Sequence, residues 1–281
     1  MSARILNGRE VAASLMEELR VEVADMPVAP RLVFVRAGDD PASASYVRSK
    51  QRLAAKAGVR AETRVLDPDT TQRALMAEVA SLNDDPDVDG ILVQLPLYDH
   101  LDAAPVLEAI DPAKDVDGFH PVNVGRLWSG RPTLVPATPS GLIRILDHYG
   151  YEIEGRDVLI VGRSNLVGKP AAALFLARHA TVTLAHSRTR DLPGWIRKAD
   201  MIVAAAGRPG MIRPDMVRAG AVLLDVGQSP VEGVLRGDVA PEVAEVAGAM
   251  TPTPGGTGPM TVAMVVANTV KAARARRGTG G

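Results

Sequence analysis

Tyr46 and Lys50 are the first residues along the chain whose types and spacing could support chemistry. They lie four residues apart in "SASYVRSK", so they share one face of the helix that this stretch predicts. A phenol beside an ammonium group can exchange protons with a bound ligand. Such a pair also occurs as plain surface decoration, and these two residues alone leave both interpretations open.

Two further polar residues stand where a polar side chain needs an explanation. Gln94 ends the apolar run "GILVQLP", so its amide must either find a partner or face a ligand crevice. Asp117 lies within residues 111–127, "DPAKDVDGFHPVNVGRL", which we interpret as a long polar loop. Asp115 and Asp117 allow a simpler alternative, in which the acids cap helices or form turns.

The stretch "DVLIVGRSNLVGKP" (157–170) has the form of a nucleotide-binding strand, turn and helix. Gly162 permits a tight turn, Gly168 permits close packing of helix on strand, and Pro170 suits the first turn of a helix. Free N–H groups at such a helix end favour a pyrophosphate. The spacing is not G-x-G-x-x-G, and Lys169 is followed by Pro rather than Ser or Thr, so it is not a P-loop. An ordinary strand-to-helix turn is the alternative.

The end of the next predicted strand indicates which dinucleotide is bound. An NAD-specific fold places an acid there, about 20 residues after the glycine loop. Here the strand ends in "AHSRTR", which supplies Ser187, Arg188 and Arg190 and no acid. Arginine and hydroxyl groups suit a 2′-phosphate, and Arg163 can approach the same phosphate from the first loop. NADP is therefore favoured over NAD, with a solvated surface turn as the alternative.

Composition limits the class of protein. The chain has 281 residues, of which 46% are hydrophobic and 23% charged, with a formal net charge of −1 and no cysteine. These values are typical of a globular domain and give no global attraction to nucleic acid or to an anionic membrane. Without cysteine there can be no disulfide, thiolate zinc site or cysteine nucleophile, and the histidines have no metal-ligand spacing. With neither a secretory signal nor a membrane span in the sequence, we expect a cytoplasmic protein.

Apolar runs and helical patterns alternate along the chain, which predicts two α/β domains built on parallel sheets, with a crevice between them. A Pro-rich stretch, 129–141, divides the halves as a stiff hinge, and the Pro/Gly-rich loop 251–261 precedes a last helix that we expect to pack on the first domain. The predicted strands are 31–38, 60–66, 88–96, 157–162, 180–186, 199–207 and 220–227, and the predicted helices are 43–57, 71–83, 101–110 and 260–273.

The order of seven short motifs resembles that of one family. The motifs "YVRSK", "VQLPL", "KDVDG", "GRL", "PATPSG", "VGRSNLVGKP" and "PGGTGPMT" cover nearly the whole chain. In this order and at these spacings they are similar to the bifunctional methylenetetrahydrofolate dehydrogenase/methenyltetrahydrofolate cyclohydrolase family. Another two-domain NADP oxidoreductase of the shikimate dehydrogenase type, and a folate- or nucleotide-binding protein without catalysis, are the alternatives.

The resemblance implies a catalytic folate-binding domain, residues 1–137 joined by the C-terminal helix 260–281, and a Rossmann-like NADP-binding domain, residues 138–259. It implies oxidation of 5,10-methylenetetrahydrofolate with NADP, then hydrolysis of the methenyl product to 10-formyltetrahydrofolate. It further implies a cytoplasmic homodimer that serves one-carbon metabolism and purine biosynthesis, with tetrahydrofolate derivatives as substrates and no nucleic-acid or membrane partner.

The resemblance also assigns roles to residues. Lys50 would activate water and move protons during hydrolysis, Gln94 would orient Lys50, Tyr46 would stack on the folate rings, and Asp117 would accept hydrogen bonds from the pterin. The remaining expected folate contacts are Val93, Leu95, Pro254, Gly255, Gly256, Gly258 and Pro259, and the expected cofactor contacts are Gly162, Arg163, Ser164, Ser187, Arg188 and Gln228.

The chain departs from the family pattern at several positions. Ala137 stands where a cysteine is frequent, so no thiol is needed there. Thr253 and Thr257 replace valines in the loop expected to cover the folate, and Gln228 replaces an isoleucine beside the cofactor. The last difference leaves the strictness of the preference for NADP open.

Overall fold

The computed structural model describes residues 2–38 and 40–278, without the side chains of residues 41–43, 45 and 46. The helices are α1 (Gly8–Ala24), α2 (Pro41–Lys56), α3 (Gln72–Asp84), α4 (Ala103–Ala109), α5 (Pro121–Trp128), α6 (Ala137–His148), α7 (Gly168–Ala177), α8 (Leu192–Lys198) and α9 (Thr257–Arg277). The strands are β1 (Arg4–Ile5), β2 (Arg31–Ala37), β3 (Arg60–Leu66), β4 (Gly90–Val93), β5 (Asp157–Val161), β6 (Thr181–Ala185), β7 (Met201–Ala204), β8 (Val222–Asp225), β9 (Ser229–Val231), β10 (Val234–Arg236) and β11 (Ala249–Met250).

Contacts divide the chain into two compact units. Unit 1 comprises Met1–Ala13 and Thr138–Thr261, and unit 2 comprises Ser14–Ala137 and Val262–Gly281. The first residues belong to unit 1 because β1 pairs in parallel with β11. This short pair of strands was not part of the sequence interpretation.

Unit 2 is built on a parallel sheet in the order β3-β2-β4. The central strand β2 is buried from Leu32 to Arg36, as expected for a strand covered on both faces. Thr71 caps α3 by accepting a hydrogen bond from the backbone N–H of Ala74 at 3.1 Å, and the buried side of α3 packs on the sheet. The strand order reverses at β2, so the carboxyl ends of β2 and β4 are where a ligand is expected.

The C-terminal part of α9 packs within unit 2. The side-chain amide of Asn268 donates to the carbonyl oxygens of Val116 and Val135, each at 2.8 Å. Arg276 and Arg277 both form ion pairs with the fully buried carboxylate of Asp89. The Asn268 contact holds Val116, directly before Asp117, and the two ion pairs hold Asp89, directly before β4.

Unit 1 contains a parallel sheet in the order β1-β11-β8-β7-β5-β6, together with an antiparallel hairpin of β9 and β10. Its core is formed by small and branched apolar side chains, among them Leu159, Ile202 and Leu223, all almost fully buried. The order reverses at β5, which places a second expected ligand position at the carboxyl ends of β5 and β7. The predicted α/β class with parallel sheets is confirmed.

Two stretches that we predicted as loops, and one that we predicted as a stiff hinge, contain residues that the structure places in helices. Residues 121–127 lie in α5, residues 137–141 of the supposed hinge lie in α6, and residues 257–261 lie in α9. In each case a proline, at position 121, 139 or 259, occupies the first turn of the helix. Proline is tolerated there because the first N–H groups need no partner within the helix. Proline content therefore indicated loops where helices begin.

Across residues 2–38 and 40–278, no helix has the length and apolar character needed to cross a membrane. The same residues contain no cluster of three or more His, Asp or Glu side chains placed to hold a metal ion.

Candidate functional site

Lys50 and Gln94 form a buried hydrogen-bonded pair in unit 2. Lys50 lies on α2 and is 5% exposed, and Gln94 follows the last residue of β4 and is 9% exposed. The Nζ atom of Lys50 donates to Oε1 of Gln94 at 3.1 Å. The Nε2 atom of Gln94 donates in turn to the carbonyl oxygen of Leu95 at 2.6 Å. The pair therefore sits at the carboxyl end of the sheet, where the topology predicts a ligand.

Burial changes the acidity of the lysine. It lowers the pKa of Lys50, because the charged ammonium loses hydration, and the nearby carboxylate of Asp117 opposes part of this effect. The ring of Phe34, on β2, lies 6.0 Å from Nζ and forms an apolar wall beside it. A lysine in such a site is deprotonated more readily than one in water, which general-base chemistry requires.

Asp117 shows the opposite shift. Burial raises the pKa of this carboxyl group to about 6; the charge of Lys50 opposes the rise and the charge of Asp115 adds to it. The pKa values of Asp117 and Lys50 are thus both displaced towards neutral pH. Two groups displaced in this way within one site are typical of a functional centre.

The segment around Asp117 is held by buried polar neighbours. Lys114 donates from Nζ to the carbonyl oxygens of Leu82, Asn83 and Asp85 at 2.6–3.0 Å, at the end of α3. The carboxylate of Asp115 accepts hydrogen bonds from the backbone N–H groups of Gly118 and His120 and from the side chain of Asn123. Asp115 is therefore a turn former, as the simpler alternative for these acids proposed. Asp117, by contrast, interacts with the charge of Lys50, and each group affects the pKa of the other.

Among the other residues of unit 2 that we expect to contact folate, the structure describes Val93 and Leu95 fully but does not describe the side chain of Tyr46. Val93 is buried as the last residue of β4, and Leu95 supplies the carbonyl that orients Gln94. Tyr46 lies in α2, four residues before Lys50, but its side chain is outside the described part of the chain.

The glycine loop of unit 1 depends on two close approaches. Gly162 follows β5 with φ +139°, and a side chain there would collide with the carbonyl of Ala205, which follows β7. A side chain at Gly168 would collide with the carbonyl of Gly162. Both glycines are therefore needed to bring the start of α7 against the ends of β5 and β7. Although the glycine spacing is not G-x-G-x-x-G, the loop still allows the close packing of helix on strand that a dinucleotide-binding loop needs.

Side chains of the loop and of the following strand end form local hydrogen bonds. The hydroxyl oxygen of Ser164 accepts from the N–H of Val167 at 3.1 Å, at the start of α7. After β6, the N–H of Arg188 donates to Nδ1 of His186 at 3.2 Å, and the N–H of His186 donates to the hydroxyl of Thr189 at 2.8 Å. A fixed turn therefore presents Ser187.

A cavity of about 520 Å³ lies at these strand ends. It is lined by Val161, Gly162, Arg163, Ser164, His186, Ser187, Thr189, Leu192, Ala205, Ala206, Arg208 and Met211. We call it the cofactor cradle. Two arginines and several hydroxyls line it, and no Asp or Glu lines it among the residues that the structure describes. Such a lining fits a phosphorylated dinucleotide and lacks the acid that would select an unphosphorylated ribose.

The cradle includes some of the predicted cofactor residues and omits others. Gly162, Arg163, Ser164 and Ser187 come together there. Among the described lining residues neither Arg188 nor Gln228 occurs, and Gln228 is exposed and lies against Gly258 instead. Sequence reasoning missed His186, Thr189 and Arg208; the signal for Arg208 was its place directly after the predicted strand 199–207.

The segment before α9 is tied to several parts of unit 1. The carbonyl oxygen of Gly255 accepts from the N–H of Arg9 at 3.2 Å, and the hydroxyl of Thr257 donates to the carbonyl of Asp225 at 3.1 Å. Gly256 also precedes α9, whereas Gly258 and Pro259 are in its first turn. Pro254 lines a separate cavity of about 560 Å³ beside the β9–β10 hairpin. The expected folate contacts of this segment are thus partly loop and partly helix.

Comparisons with known proteins identify sequence families for both parts of the chain. Residues 6–117 match the family described as tetrahydrofolate dehydrogenase/cyclohydrolase, catalytic domain, and residues 136–277 match its NAD(P)-binding domain. The bifunctional protein FolD of Thermus thermophilus is 54% identical over 277 residues, which is 99% of this chain and 98% of that relative.

Solved structures agree with these matches. The bifunctional enzyme FolD, methylenetetrahydrofolate dehydrogenase/cyclohydrolase, from Campylobacter jejuni superimposes with a TM-score of 0.95 at 41% identity, covering 98% of this chain and 100% of that one. The methylenetetrahydrofolate dehydrogenase-cyclohydrolase of Trypanosoma brucei, solved with NADP cofactor and an inhibitor, gives a TM-score of 0.93 at 38% identity, covering both chains fully.

Proposed function

The chain belongs to the tetrahydrofolate dehydrogenase/cyclohydrolase family, and we propose how its residues divide the two reactions. It oxidises 5,10-methylenetetrahydrofolate with NADP and hydrolyses the methenyl product to 10-formyltetrahydrofolate. We assign folate binding and hydrolysis to Lys50, Gln94 and Asp117 in unit 2, and NADP binding to the cofactor cradle in unit 1.

For the oxidation, the protein's task is binding and orientation. NADP, when bound, supplies the hydride acceptor. The glycine loop, whose backbone packs closely at Gly162 and Gly168, would hold the pyrophosphate. The 2′-phosphate of NADP would be bound by the side chains of Arg163, Ser164 and Ser187. Arg188 and Gln228 stay in the proposal as outer contacts, supported only by their neighbourhood in the sequence.

For the hydrolysis, the central group is the neutral amine of Lys50. It removes a proton from a water molecule as the water oxygen bonds to the methenyl carbon. The protonated Lys50 then returns this proton to the folate nitrogen as the bond between carbon and that nitrogen breaks. The hydroxyl of the adduct becomes the formyl C=O in the same step, and its proton is released to solvent. Gln94 holds the amine in place throughout. The lowered pKa of Lys50 supports this role, since an ordinary lysine is almost fully charged at neutral pH.

Substrate orientation falls to the remaining residues. The carboxylate of Asp117 accepts hydrogen bonds from the amino and ring N–H groups of the pterin, a planar pair of donors that suits a carboxylate. Tyr46 stacks on the folate rings, and Val93 and Leu95 contribute the strand end beside Gln94. Pro254, Gly255, Gly256, Gly258 and Pro259 contact the folate from the segment that leads into α9.

Three broader features complete the proposal. We assign residues 1–137 and the C-terminal segment 260–281 to the catalytic part, and residues 138–259 to the NADP-binding part. The protein acts as a homodimer in the cytoplasm, where its product supplies one-carbon units for purine biosynthesis. The family resemblance supports each of these features, and sedimentation analysis of the purified protein tests the dimer.

The observation that carries the functional proposal is the buried hydrogen bond between Lys50 and Gln94, beside a carboxyl group of raised pKa. The direct test supplies purified protein with 5,10-methylenetetrahydrofolate and NADP. We expect NADPH, transient methenyl absorbance and 10-formyltetrahydrofolate. A protein that binds these ligands without turnover would instead support the non-catalytic alternative.

A further inference from the structure

Asp238 is a fully buried carboxylate that the two reactions do not use. It lies in unit 1, shortly after β10, with no exposed surface. Its Oδ2 atom accepts hydrogen bonds from the N–H groups of Ala206 and Gly207 at 2.6 and 3.0 Å, and its Oδ1 atom accepts one from Arg208 at 2.6 Å. Three consecutive backbone donors thus converge on one side chain.

These donors replace a countercharge. A carboxylate removed from water is costly unless hydrogen bonds or a cation compensate for its lost hydration. In the part of the chain that the structure describes, no cationic side chain forms an ion pair with Asp238, so the three N–H groups provide that compensation. The carboxylate and the backbone segment 206–208 therefore hold one another in a single conformation.

The segment that Asp238 holds is a wall of the cofactor cradle. Ala205, Ala206 and Arg208 all line the cavity, and Ala205 lies directly against Gly162 of the glycine loop. The N–H of Ala205 is tied separately to the carbonyl of Val161 at 2.8 Å. The first residue of this wall is thus fixed by β5, and the next three are fixed by Asp238.

We propose that Asp238 is a positioning residue for NADP, which acts by fixing segment 206–208 so that the side chain of Arg208 faces the cofactor. The proposal rests on the assignment of the cradle to NADP. It adds Arg208 to Arg163 as a cation of the cradle that binds the cofactor. It also distinguishes Asp238 from a group that contacts the cofactor, because its carboxylate is turned to the backbone.

A second buried acid holds Asp238 in place. The carboxylate of Asp225, at the end of β8, accepts from the N–H groups of Gly227, Asp238 and Val239, each at 3.0 Å. Burial raises the pKa of Asp225 to about 6, and these donors oppose that rise. A side chain at residue 237 would collide with this carboxylate, which explains the glycine there. Asp225, at the end of β8, therefore holds Asp238, and Asp238 in turn holds segment 206–208 in the wall of the cradle.

The test uses Asp238→Asn, which keeps the shape of the side chain but turns one acceptor into an NH₂ donor. At least one of the three backbone N–H groups then faces a donor. We expect the KM for NADP to rise by about tenfold or more, while NADP-independent hydrolysis of methenyltetrahydrofolate stays within about twofold of wild type. Asp238→Glu, which keeps the charge and displaces the carboxylate, should raise the same KM and serves if the first variant does not fold.

Asp200→Asn is the matched control. Asp200 also accepts a backbone hydrogen bond, from Asp157 at 2.9 Å, and pairs with Arg218, but it lies at the opposite end of β7 from the cradle. It should lower Tm without changing the KM for NADP. If Asp238→Asn behaves like this control, the positioning role is overturned. The KM for NADP of Arg163→Leu is measured in the same assays. If it is unchanged, the assignment of the cradle to NADP is refuted. If it is raised while the KM for NADP of Asp238→Asn is unchanged, only the positioning role of Asp238 is refuted.

Discussion

The Nζ atom of Lys50 lies 3.1 Å from Oε1 of Gln94, and this contact also fixes which way the glutamine amide points. The Nε2 atom of Gln94 donates to the carbonyl of Leu95 and cannot accept, so Oε1 must be the atom that faces the lysine. A neutral Lys50 therefore gives one N–H to Gln94. Its lone pair therefore does not point towards Gln94.

Gln94→Glu tests the electrostatics of this contact. A carboxylate beside the ammonium group stabilises the charged form of Lys50 and raises its pKa. Because the neutral amine is the active form, hydrolysis grows with pH as Lys50 loses its proton. We therefore expect the rising limb of the cyclohydrolase pH–rate profile to move to higher pH in this variant.

Gln94→Met is the matched control for that experiment, because it removes the acceptor without adding charge. It should lower the rate by loss of orientation and should not move the profile upwards in pH. Superimposable profiles for wild type and Gln94→Glu would show that residue 94 does not act on the titration of Lys50.

Asp117→Asn tests recognition of the pterin. The asparagine amide cannot accept two hydrogen bonds from a pair of donors with both of its side-chain atoms. Charged hydrogen bonds contribute about 1.5–3 kcal/mol, so the KM for the folate substrate should rise by about tenfold or more. The KM for NADP, measured in the same assays, should stay near the wild-type value. A folate KM equal to that of wild type would remove Asp117 from the substrate site.

The same variant predicts a change in how stability depends on pH. The pKa of Asp117 is raised from 3.8 to about 6 by folding. The folded protein therefore binds this proton more tightly than the unfolded chain, and the stability that the group contributes is lost as pH rises from about 4 to about 6. Over that interval the Tm of wild type should fall relative to the Tm of Asp117→Asn. A constant difference in Tm would show that the carboxyl group titrates normally.

Arg163→Leu tests how the cofactor is selected. Arg163 lines the cradle, so its loss should raise the KM for NADP by about tenfold and leave the KM for NAD within about twofold, since only NADP carries the 2′-phosphate. Arg188→Leu is the comparison, because Arg188 is adjacent in the turn after β6 but is not among the lining residues. Its effect should be smaller. Equal losses with both cofactors in Arg163→Leu would separate this arginine from the 2′-phosphate.

The sequence predicted elements whose pattern is local. Strands such as β2 and β5 are short apolar runs bounded by turn residues, and the helices α2 and α3 have their own periodicity. The sequence also placed Gln94 at a strand end, because a polar residue that ends an apolar run is visible without a structure. The starts of α5 and α6 could not be predicted, because Pro121 and Pro139 are tolerated both in a loop and in the first turn of a helix.

Residues whose role depends on distant partners could not be predicted. Asp238 is one acid among many in the sequence, and its partners lie about thirty positions earlier, at Ala206 to Arg208. Lys114 likewise bonds to carbonyl groups at the end of α3 that no local pattern indicates. Both assignments depend on which strand ends the sheet topology brings together, and that arrangement is a property of the whole fold.

The central claim is that Lys50 carries out the hydrolysis and is not needed to bind NADP, and the variant Lys50→Met tests it most directly. Lys56→Met, at the exposed end of the same helix, is the control and should behave as wild type. Wild type and variant are each given methenyltetrahydrofolate, and formation of 10-formyltetrahydrofolate is followed beside a separate NADP-binding titration. We expect hydrolysis by Lys50→Met to fall by about a hundredfold or more while the Kd for NADP is unchanged. Hydrolysis at the wild-type rate in Lys50→Met would contradict the account.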